Sequence, residues 1–421
     1  MGRAMTAATT TVGSPGLTIS VSSLGRLGVF LAIVASGVVF SEPAPVDVLM
    51  MGLVVMLPLL GLQRHSPGVT LQFMVWLGCG AGALLASVMS SEVGDSSRHT
   101  AISFYLYGAF LVLAAFITLA PERHARLVFN AWLLAAMIAA TAGVIGYFRL
   151  APGAFELFTR YGRAAGTFKD PNVLGPFLVP AALYLTHRLV YRETRWPVTT
   201  LAGLGILVGA VLLSFSRGAW FNLIAALGLY GAMTLVIVGT QAARARLVLF
   251  AALGAMLALA ALIGVLQIDE VSRLLSERST LAQGYDVGPE GRFGGQAKAI
   301  GLIFANPLGL GAGQFSTHFH PEDVHNVYLS MFLNAGWLGG LLYIAAVVST
   351  VVLGFAHVMK ATPTRPLFLI AYAAFVATVL EGFIVDTDHW RHFYILLALA
   401  WGLMGAASHL EPRAARTGLP R

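Results

Sequence analysis

The chain has 421 residues, of which 57% are hydrophobic and only 11% are charged. Soluble domains carry about 25% charged residues, so this composition excludes an ordinary soluble enzyme and indicates an integral membrane protein. The formal net charge is +7. This charge does not indicate nucleic-acid binding, because the basic residues form no patch with a recognisable reading module. The single cysteine, Cys79, excludes an intrachain disulfide.

Apolar blocks that are long enough to cross a hydrocarbon core of about 30 Å recur along the chain. They predict an all-α integral membrane fold with about 12 transmembrane helices and one large external loop. The predicted spans are 24–40, 46–62, 68–90, 100–120, 127–148, 172–190, 198–215, 218–238, 246–266, 327–357, 367–385 and 393–408.

These spans divide the chain into a tail, two helical blocks, a loop and a second tail. The predicted parts are a cytoplasmic tail 1–23, helices 1–9 in 24–266, a large loop 267–323, helices 10–12 in 324–408, and a cytoplasmic tail 409–421. The loop from Gln267 to Asp323 is the only long polar segment of the chain.

The distribution of Lys and Arg orients the predicted spans. Fifteen of the 26 basic residues fall on the side that carries both tails. On the opposite side, the short loops carry only Arg98, Arg217 and Arg391, and the other basic residues lie in two longer segments. The positive-inside rule is read from short loops, so both tails are predicted to be cytoplasmic and the loop 267–323 external.

Arg217 is a charged residue between two predicted apolar helices with almost no loop around it. A charge at that depth is costly unless it reaches the headgroups or has an anionic partner. Ser214, Ser216 and Gly218 form a polar turn there. This favours an anion ligand that faces a cavity over an arginine that contacts lipid headgroups.

Two further external arginines strengthen this interpretation. Arg163 precedes the sixth predicted span, and Arg292 follows Gly291 in the predicted loop. Taken alone, Arg292 would be an ordinary solvated charge. Arginine forms bidentate contacts with phosphate oxygens, so three arginines on one side of a membrane suit a diphosphate.

His325 lies where the loop meets the tenth predicted span, with Asp323 as a candidate helix N-cap. A helix N-terminus and nearby arginines disfavour an imidazolium ion, whereas Glu322 and Asp323 favour it. The direction of the pKa shift is therefore open. A general base is favoured over a histidine that merely lies at headgroup level.

Two other interpretations of this region are weaker. His318, His320, Glu322 and His325 have spacings compatible with metal ligands, but no cysteine supports such a site, and no metal is expected. The glycines of segment 309–313 lack the Gly-Lys-Ser/Thr ending of a phosphate-binding loop, so turn formation after Asn306-Pro307 explains them better.

A polar turn between the last two predicted spans could line an acceptor path or be a solvated loop, and the second interpretation is favoured. It contains Asp386, Asp388, His389, Arg391 and His392.

Five motifs occur in a fixed order along the chain. They are Gly162-Arg163 with Gly166-Thr167-Phe168 and Pro171-Asn172; Ser216-Arg217-Gly218-Ala219; Gly291-Arg292-Phe293; Asn306-Pro307-Leu308-Gly309; and His325-Asn326 with Tyr328-Leu329. In this order the sequence resembles the bacterial O-antigen ligase family and its relatives, the O-antigen and exopolysaccharide polymerases. The motifs cover roughly residues 160–345.

The resemblance implies a glycosyltransferase-C-like enzyme of the bacterial inner (cytoplasmic) membrane, with its active site facing the periplasm. The donor would be a glycan on undecaprenyl diphosphate, and the acceptor lipid A–core for a ligase or a second lipid-linked glycan for a polymerase. Arg217 and Arg292 match the arginines that hold the diphosphate, and His325 matches the proposed catalytic base.

The resemblance also bears on the weaker site candidates and on cofactors. Arg163, Lys169, Asn172 and Asn326 are candidate substrate-binding residues, although each asparagine could equally cap a helix. The family implies a reaction without metal, ATP or another cofactor, in contact with membrane lipids and not with nucleic acid.

The main alternative is a polytopic transporter of an anionic solute or of a lipid-linked glycan. Transporters place polar residues and broken helices near the bilayer midplane. The predicted midplanes here are apolar and the polar residues lie in external loops, which favours the transferase. A non-catalytic scaffold of an envelope complex is the second alternative.

Overall fold

The computed structural model describes residues 20–265 and 288–417. Most of the predicted N-terminal tail, the first part of the predicted loop 267–323 and the end of the C-terminal tail therefore lie outside the described residues. The described part is almost entirely helical, with one short β-hairpin.

Fifteen α-helices follow one another in the described residues, numbered here in chain order. They are α1 Val21–Ala35, α2 Pro45–Leu59, α3 Pro67–Met89, α4 Val93–Leu119, α5 Pro121–Tyr147, α6 Ala154–Phe158, α7 Pro171–Val190, α8 Pro197–Leu213, α9 Arg217–Met233, α10 Gln241–Val265, α11 Arg292–Ala305, α12 Gln314–His318, α13 Val327–Val358, α14 Arg365–Glu381 and α15 Arg391–Thr417. A π-helical segment, Thr234–Val238, extends α9. Strand β1 (Thr159–Arg160) pairs antiparallel with β2 (Arg163–Ala164).

Each predicted span overlaps one of these helices. Among the described residues, six helices are long and apolar enough to cross a membrane, namely α3, α4, α5, α7, α9 with its π-helical extension, and α13. Helices α1, α2, α8 and the first part of α15 are apolar but shorter. The protein is thus a multi-pass, all-α membrane protein, and the number of 12 crossings stays a prediction.

An aromatic cluster around Trp76 joins four helices in the core. Trp76 on α3 is fully buried, and its ring lies 5.2 Å from that of Tyr107 on α4, measured between centroids. It also lies 5.6 Å from Tyr343 on α13 and 5.7 Å from Tyr394 on α15. Large aromatic side chains dominate core energetics, so this cluster fixes the relative positions of these helices.

Helix α13 begins at Val327, and its N-cap is Asn326. The side chain of Asn326 accepts hydrogen bonds from the backbone N–H groups of Tyr328 and Leu329. The prediction that Asp323 caps this helix was wrong. His325 has a positive φ of 52°, which turns the chain between Asp323 and the helix. The cap must therefore come from the residue after that turn.

A break in α13 receives the glycine-containing segment 306–313. Gly336 has a non-helical φ of 66°, which interrupts the hydrogen-bond ladder of the helix. The carbonyl of Leu333 accepts a hydrogen bond from the Leu310 N–H at 2.7 Å, and the Trp337 N–H donates to the Pro307 carbonyl at 2.9 Å. The segment therefore replaces the bonds that the break removes, in agreement with turn formation.

The described part of the predicted loop is folded into helices. Arg292 was expected in a loop but is the first residue of α11. Gly295, Ala299 and Ile303 recur every four residues, and they form the buried face of this helix, which packs against α13. The small residues and the paired glycines Gly294-Gly295 hid this periodicity in the sequence.

Candidate functional site

A cavity of about 570 Å³ lies where the N-terminal ends of α7, α9 and α11 meet the segment before α13 and the end of α14. The cavity combines charged and aromatic side chains. Its lining residues are Arg163, Asp170, Asn172, Phe215, Ser216, Arg217, Gly218, Phe221, Arg292, Phe293, Gln296, Glu322, His325, Glu381, Ile384 and Val385.

Three helix N-termini border this cavity. Asp170 caps α7 and Ser216 caps α9, each through a side-chain oxygen that accepts a backbone N–H of the first turn. Arg217 and Arg292 are the first residues of α9 and α11. A helix N-terminus carries a partial positive charge, so these ends and the arginine side chains together favour an anion.

Arg163 connects the start of α7 to the turn before α9. It follows the two-residue turn of the β-hairpin and is only 9% exposed. Its Nε donates to the carbonyl of Ser214 at 2.7 Å, and its Nη2 donates to Oδ1 of Asn172 at 2.7 Å. Arg163 and Asn172 thus form a linked part of the cavity wall beside the turn that carries Arg217.

His325 lines the cavity with a backbone in the left-handed region. Its N–H donates to Oδ2 of Asp386 at 3.1 Å, and the other oxygen of Asp386 accepts a hydrogen bond from the Ser330 hydroxyl at 2.6 Å. Left-handed φ values are uncommon for non-glycine residues and need support from their surroundings. Asp386 supplies part of this support.

The charge state of His325 follows from its surroundings. Burial lowers the pKa of His325, and the Arg292 guanidinium lowers it further. Glu322, whose Oε2 lies 3.7 Å from His325 Nε2, and Asp323 oppose this shift without reversing it. The pKa of His325, whose direction of shift the sequence left open, is therefore lowered. A lowered pKa keeps the imidazole neutral near neutral pH and able to accept a proton.

The polar turn before α15 is buried, so the expectation of a solvated loop was wrong. Thr387 is fully buried and Asp388 is 8% exposed. The turn is held from α4, because His99 Nε2 lies 3.4 Å from Asp388 Oδ2 and Ser103 Oγ lies 2.9 Å from His389 Nε2. Burial, together with the nearby Asp388, raises the pKa of Asp386 to about 7.

Arg391, the residue of the predicted polar turn that begins α15, is anchored as well. Arg391 forms a bidentate ion pair with Asp47 of α2, at 2.6 and 2.7 Å. Its partner lies 344 positions earlier in the chain. Local sequence could not show that this turn would be buried, because the groups that hold it come from α2 and α4.

One group of side chains in the described residues brings metal-ligand types together, namely His99, Asp388 and His389. The two imidazole rings stack at 3.7 Å between centroids, with 20° between their planes. Ring nitrogens bind metals along lone pairs that lie in the ring plane, and because the two ring planes are stacked and nearly parallel, these lone pairs lie in separate planes and do not converge on one ion. The geometry fits a hydrogen-bonded anchor for the turn.

The alternative metal group in segment 318–325 is not assembled among the described residues. His318 Nε2 instead lies 3.1 Å from the hydroxyl of Ser91. His320 is buried, and its Nδ1 lies 3.2 Å from the carbonyl oxygen of Glu322.

Two predicted substrate-binding residues do not line the cavity. Lys169 forms an ion pair with Glu42 at 3.0 Å, and its side chain is about half exposed. Asn326 is the N-cap of α13. The structure therefore gives both residues contacts of their own away from the cavity, whereas Arg163, Asn172, Arg217, Arg292 and His325 all line it.

Sequence reasoning missed Glu381, the last residue of α14. It lines the cavity, is 1% exposed and accepts a hydrogen bond from Asn222 Nδ2 at 2.7 Å. A Cβ at Gly218 would lie 2.7 Å from Glu381 Oε1, so a larger residue there would displace the Glu381 carboxyl group. A carboxylate at the end of an apolar helix was a usable signal, because such residues mark functional sites.

One known family matches part of the chain that lines this cavity. The family model described as O-antigen ligase matches residues 202–344. This segment of the chain is thus similar to the O-antigen ligase family. The resemblance inferred from the motifs is thus confirmed, and no curated protein matches the chain. The matched segment contains Arg217, Arg292 and His325. The match indicates a glycosyltransferase-like enzyme, of a family that in general uses lipid-linked glycans.

Proposed function

We propose that this protein transfers a glycan from undecaprenyl diphosphate to a sugar hydroxyl at the periplasmic face of the inner membrane. The observation that carries the proposal is one cavity lined by Arg217, Arg292 and His325 at the N-termini of three helices. It unites anion-binding groups with a neutral base.

The arginines would stabilise the leaving group. The bond between the anomeric carbon and the diphosphate oxygen breaks, and the electron pair leaves with the diphosphate. Arg217 and Arg292, with the first-turn N–H groups of α9 and α11, offer donors fixed in place before the reaction begins. Preorganised donors at the site of developing negative charge lower the barrier.

His325 would act as the general base. It accepts the proton of the acceptor hydroxyl while that oxygen bonds to the anomeric carbon, and the proton later passes to solvent. The lowered pKa keeps the imidazole ready to accept this proton. Glu322 stabilises the imidazolium ion that forms. A single displacement of this kind inverts the configuration at the anomeric carbon.

The test is to compare His325→Ala and Arg217→Ala with the wild-type protein, purified in detergent and supplied with lipid-linked glycan and acceptor. Each substitution is expected to reduce transfer by about 10²-fold or more, because each removes a base or a charge-stabilising donor. Lys169→Ala is the matched control, since Lys169 is a cation outside the cavity, and it should transfer glycan at nearly the wild-type rate.

Normal glycan transfer by the folded His325→Ala variant would refute the assignment of the base. Movement of a labelled glycan across liposomes, with no glycan joining, would instead support the transporter alternative. Chromatographic elution and thermal unfolding of each variant report whether it folds.

The acceptor can be identified from a strain that lacks the protein. If the acceptor is lipid A–core, long glycans disappear from lipid A–core and polymer accumulates on the carrier lipid. If the acceptor is a second lipid-linked glycan, single repeat units remain.

A further inference from the structure

Helix α11 has an exposed face made only of apolar and small residues. Its large members are well exposed, with Phe293 at 58%, Ile300 at 48% and Phe304 at 69%. Over α11 and the turn that follows it, the exposed positions other than Pro307 are Phe293, Ala297, Ile300, Gly301, Phe304, Ala305 and Leu308. A helix that lies in water places charged and polar residues on its outer face.

The polar side chains of α11 are turned toward the protein. Arg292 and Gln296 line the cavity, and Lys298 Nζ donates to the carbonyl of Phe319 at 2.8 Å. The helix thus contains polar side chains, but none of them is on its exposed face. A continuous exposed apolar surface of this kind marks a contact with a membrane or a partner.

The exposed face of α11 continues onto α13. Trp337 Nε1 donates to the Ile303 carbonyl at 3.0 Å, and its ring lies 5.8 Å from that of Phe304, measured between centroids. Next to these contacts, α13 exposes Leu338 and Leu341 at 54% and 56%. Helix α13 is long and apolar enough to cross a membrane, so we expect these exposed leucines to contact lipid.

The length of α13 places this contact near one boundary of the bilayer. Beyond the break at Gly336, residues 337–358 alone span about 33 Å at about 1.5 Å per residue, which matches a hydrocarbon core of about 30 Å. The end that carries the cavity therefore reaches headgroup level, where tryptophan side chains concentrate. Helix α11 packs beside this end.

We propose that α11 is an interfacial helix that lies in the leaflet on the cavity side, with Phe293, Ile300, Phe304 and Leu308 among the lipid acyl chains. Its polar face would form one wall of the cavity, so that Arg292 lies at headgroup depth. Part of the segment assigned to an external loop is then membrane-bound. A lipid-linked substrate could reach the arginines from the bilayer without leaving it.

The test measures membrane depth directly. Cysteines replace Ile300 and Phe304 one at a time in a Cys79→Ala background, each is labelled with a nitroxide, and the protein is reconstituted into phosphatidylethanolamine–phosphatidylglycerol vesicles. Electron paramagnetic resonance then compares collisions with oxygen, which concentrates in lipid, and with a water-soluble nickel chelate. Leu341→Cys is the lipid-facing control, and Thr317→Cys, an exposed position of the same segment, is the aqueous control.

We expect labels at 300 and 304 to collide more with oxygen than with the nickel chelate, as at 341, and the order to reverse at 317. Nickel accessibility like that at 317 would overturn the proposal, and so would protection from both reagents, which would indicate a protein partner or a second copy. Because Cys79 is fully buried, the native background serves if Cys79→Ala does not fold. The experiment measures the accessibility of the labels and not glycan transfer. Its result therefore tests the position of α11 independently of the proposed function.

Discussion

The position of His325 depends on one carboxyl group from a distant part of the chain. Asp386 accepts the backbone N–H of His325 and the hydroxyl of Ser330, so it joins the turn before α15 to the start of α13. It acts on the backbone of the proposed base rather than on its ring. We infer that Asp386 is a positioning residue for His325.

Asp386→Ala removes both hydrogen bonds and should lower kcat by about 10-fold to 10²-fold with a smaller change in KM, because misplacing a catalytic group by about 1 Å costs up to 10²-fold. Asp386→Asn keeps an acceptor oxygen for the His325 N–H and should retain most of the activity. A steady-state measurement of glycan transfer separates kcat from KM. An unchanged kcat in a folded Asp386→Ala variant would exclude the positioning role.

The lowered pKa of His325 predicts a specific pH dependence. A base works only when neutral, so kcat/KM should be maintained down to below about pH 6.5, the ordinary pKa of histidine, and fall as pH drops through the lowered pKa. Glu322 raises this pKa, so Glu322→Gln should move the acid limb to still lower pH. The pH profile of kcat/KM measures both.

Asp386 also titrates in the neutral range, since its pKa is raised to about 7. Asp388, Asp323 and the His325 backbone face the same carboxyl group. The pH profile of kcat/KM is therefore recorded for the Asp386→Asn variant as well. Asparagine does not titrate, so only the decrease in kcat/KM caused by protonation of His325 should remain. An acid limb above pH 6.5 in both backgrounds would contradict the assignment of His325.

At the scale of single elements, the helix near the site with the clearest irregularity is α13, which is broken at Gly336. Helix α13 could continue through residue 336, but the segment 306–313 occupies the space beside it and bonds to both sides of the break. This segment connects α11, which carries Arg292, to α12 and then to His325. The break thus provides the backbone groups that hold the segment between α11 and His325 in place.

Gly336→Ala should lower the thermal stability. A Cβ at this position would lie 2.7 Å from the Leu308 carbonyl carbon, and φ is +66°. Such backbone strain costs about 1–3 kcal/mol. Gly301→Ala is the matched control, because a Cβ there meets nothing within 4 Å and the position is helical. Thermal unfolding in detergent compares the two, and equal unfolding temperatures would show that the break is not strained.

At the scale of the whole molecule, the cavity is assembled from segments that are far apart in the chain. Arg163 and Asn172 come from the hairpin region, Arg217 from α9, Arg292 from α11, and Glu381 from α14. The family match covers only residues 202–344. The wall formed by Arg163, Asn172 and Glu381, and the support from Asp386, lie outside that segment.

Sequence alone was sufficient for features that depend on local composition and spacing. Apolar runs marked the positions of the helices, since burial in lipid requires about 20 apolar residues. Arginines in the segments predicted to be external marked Arg163, Arg217 and Arg292, because a charge near the hydrocarbon core is costly unless it has an anionic partner. The order of the motifs was enough to indicate the family.

Tertiary structure decided the features that depend on partners distant in sequence. It buried most of the turn from Asp386 to His392 through contacts with His99, Ser103 and Asp47. It also gave Lys169 and Asn326 other contacts, so that neither lines the cavity. It also set the direction of the pKa shift of His325, since burial outweighs the adjacent acids. The physical reason is that desolvation and hydrogen bonding act across space, whereas composition and periodicity report only neighbours along the chain.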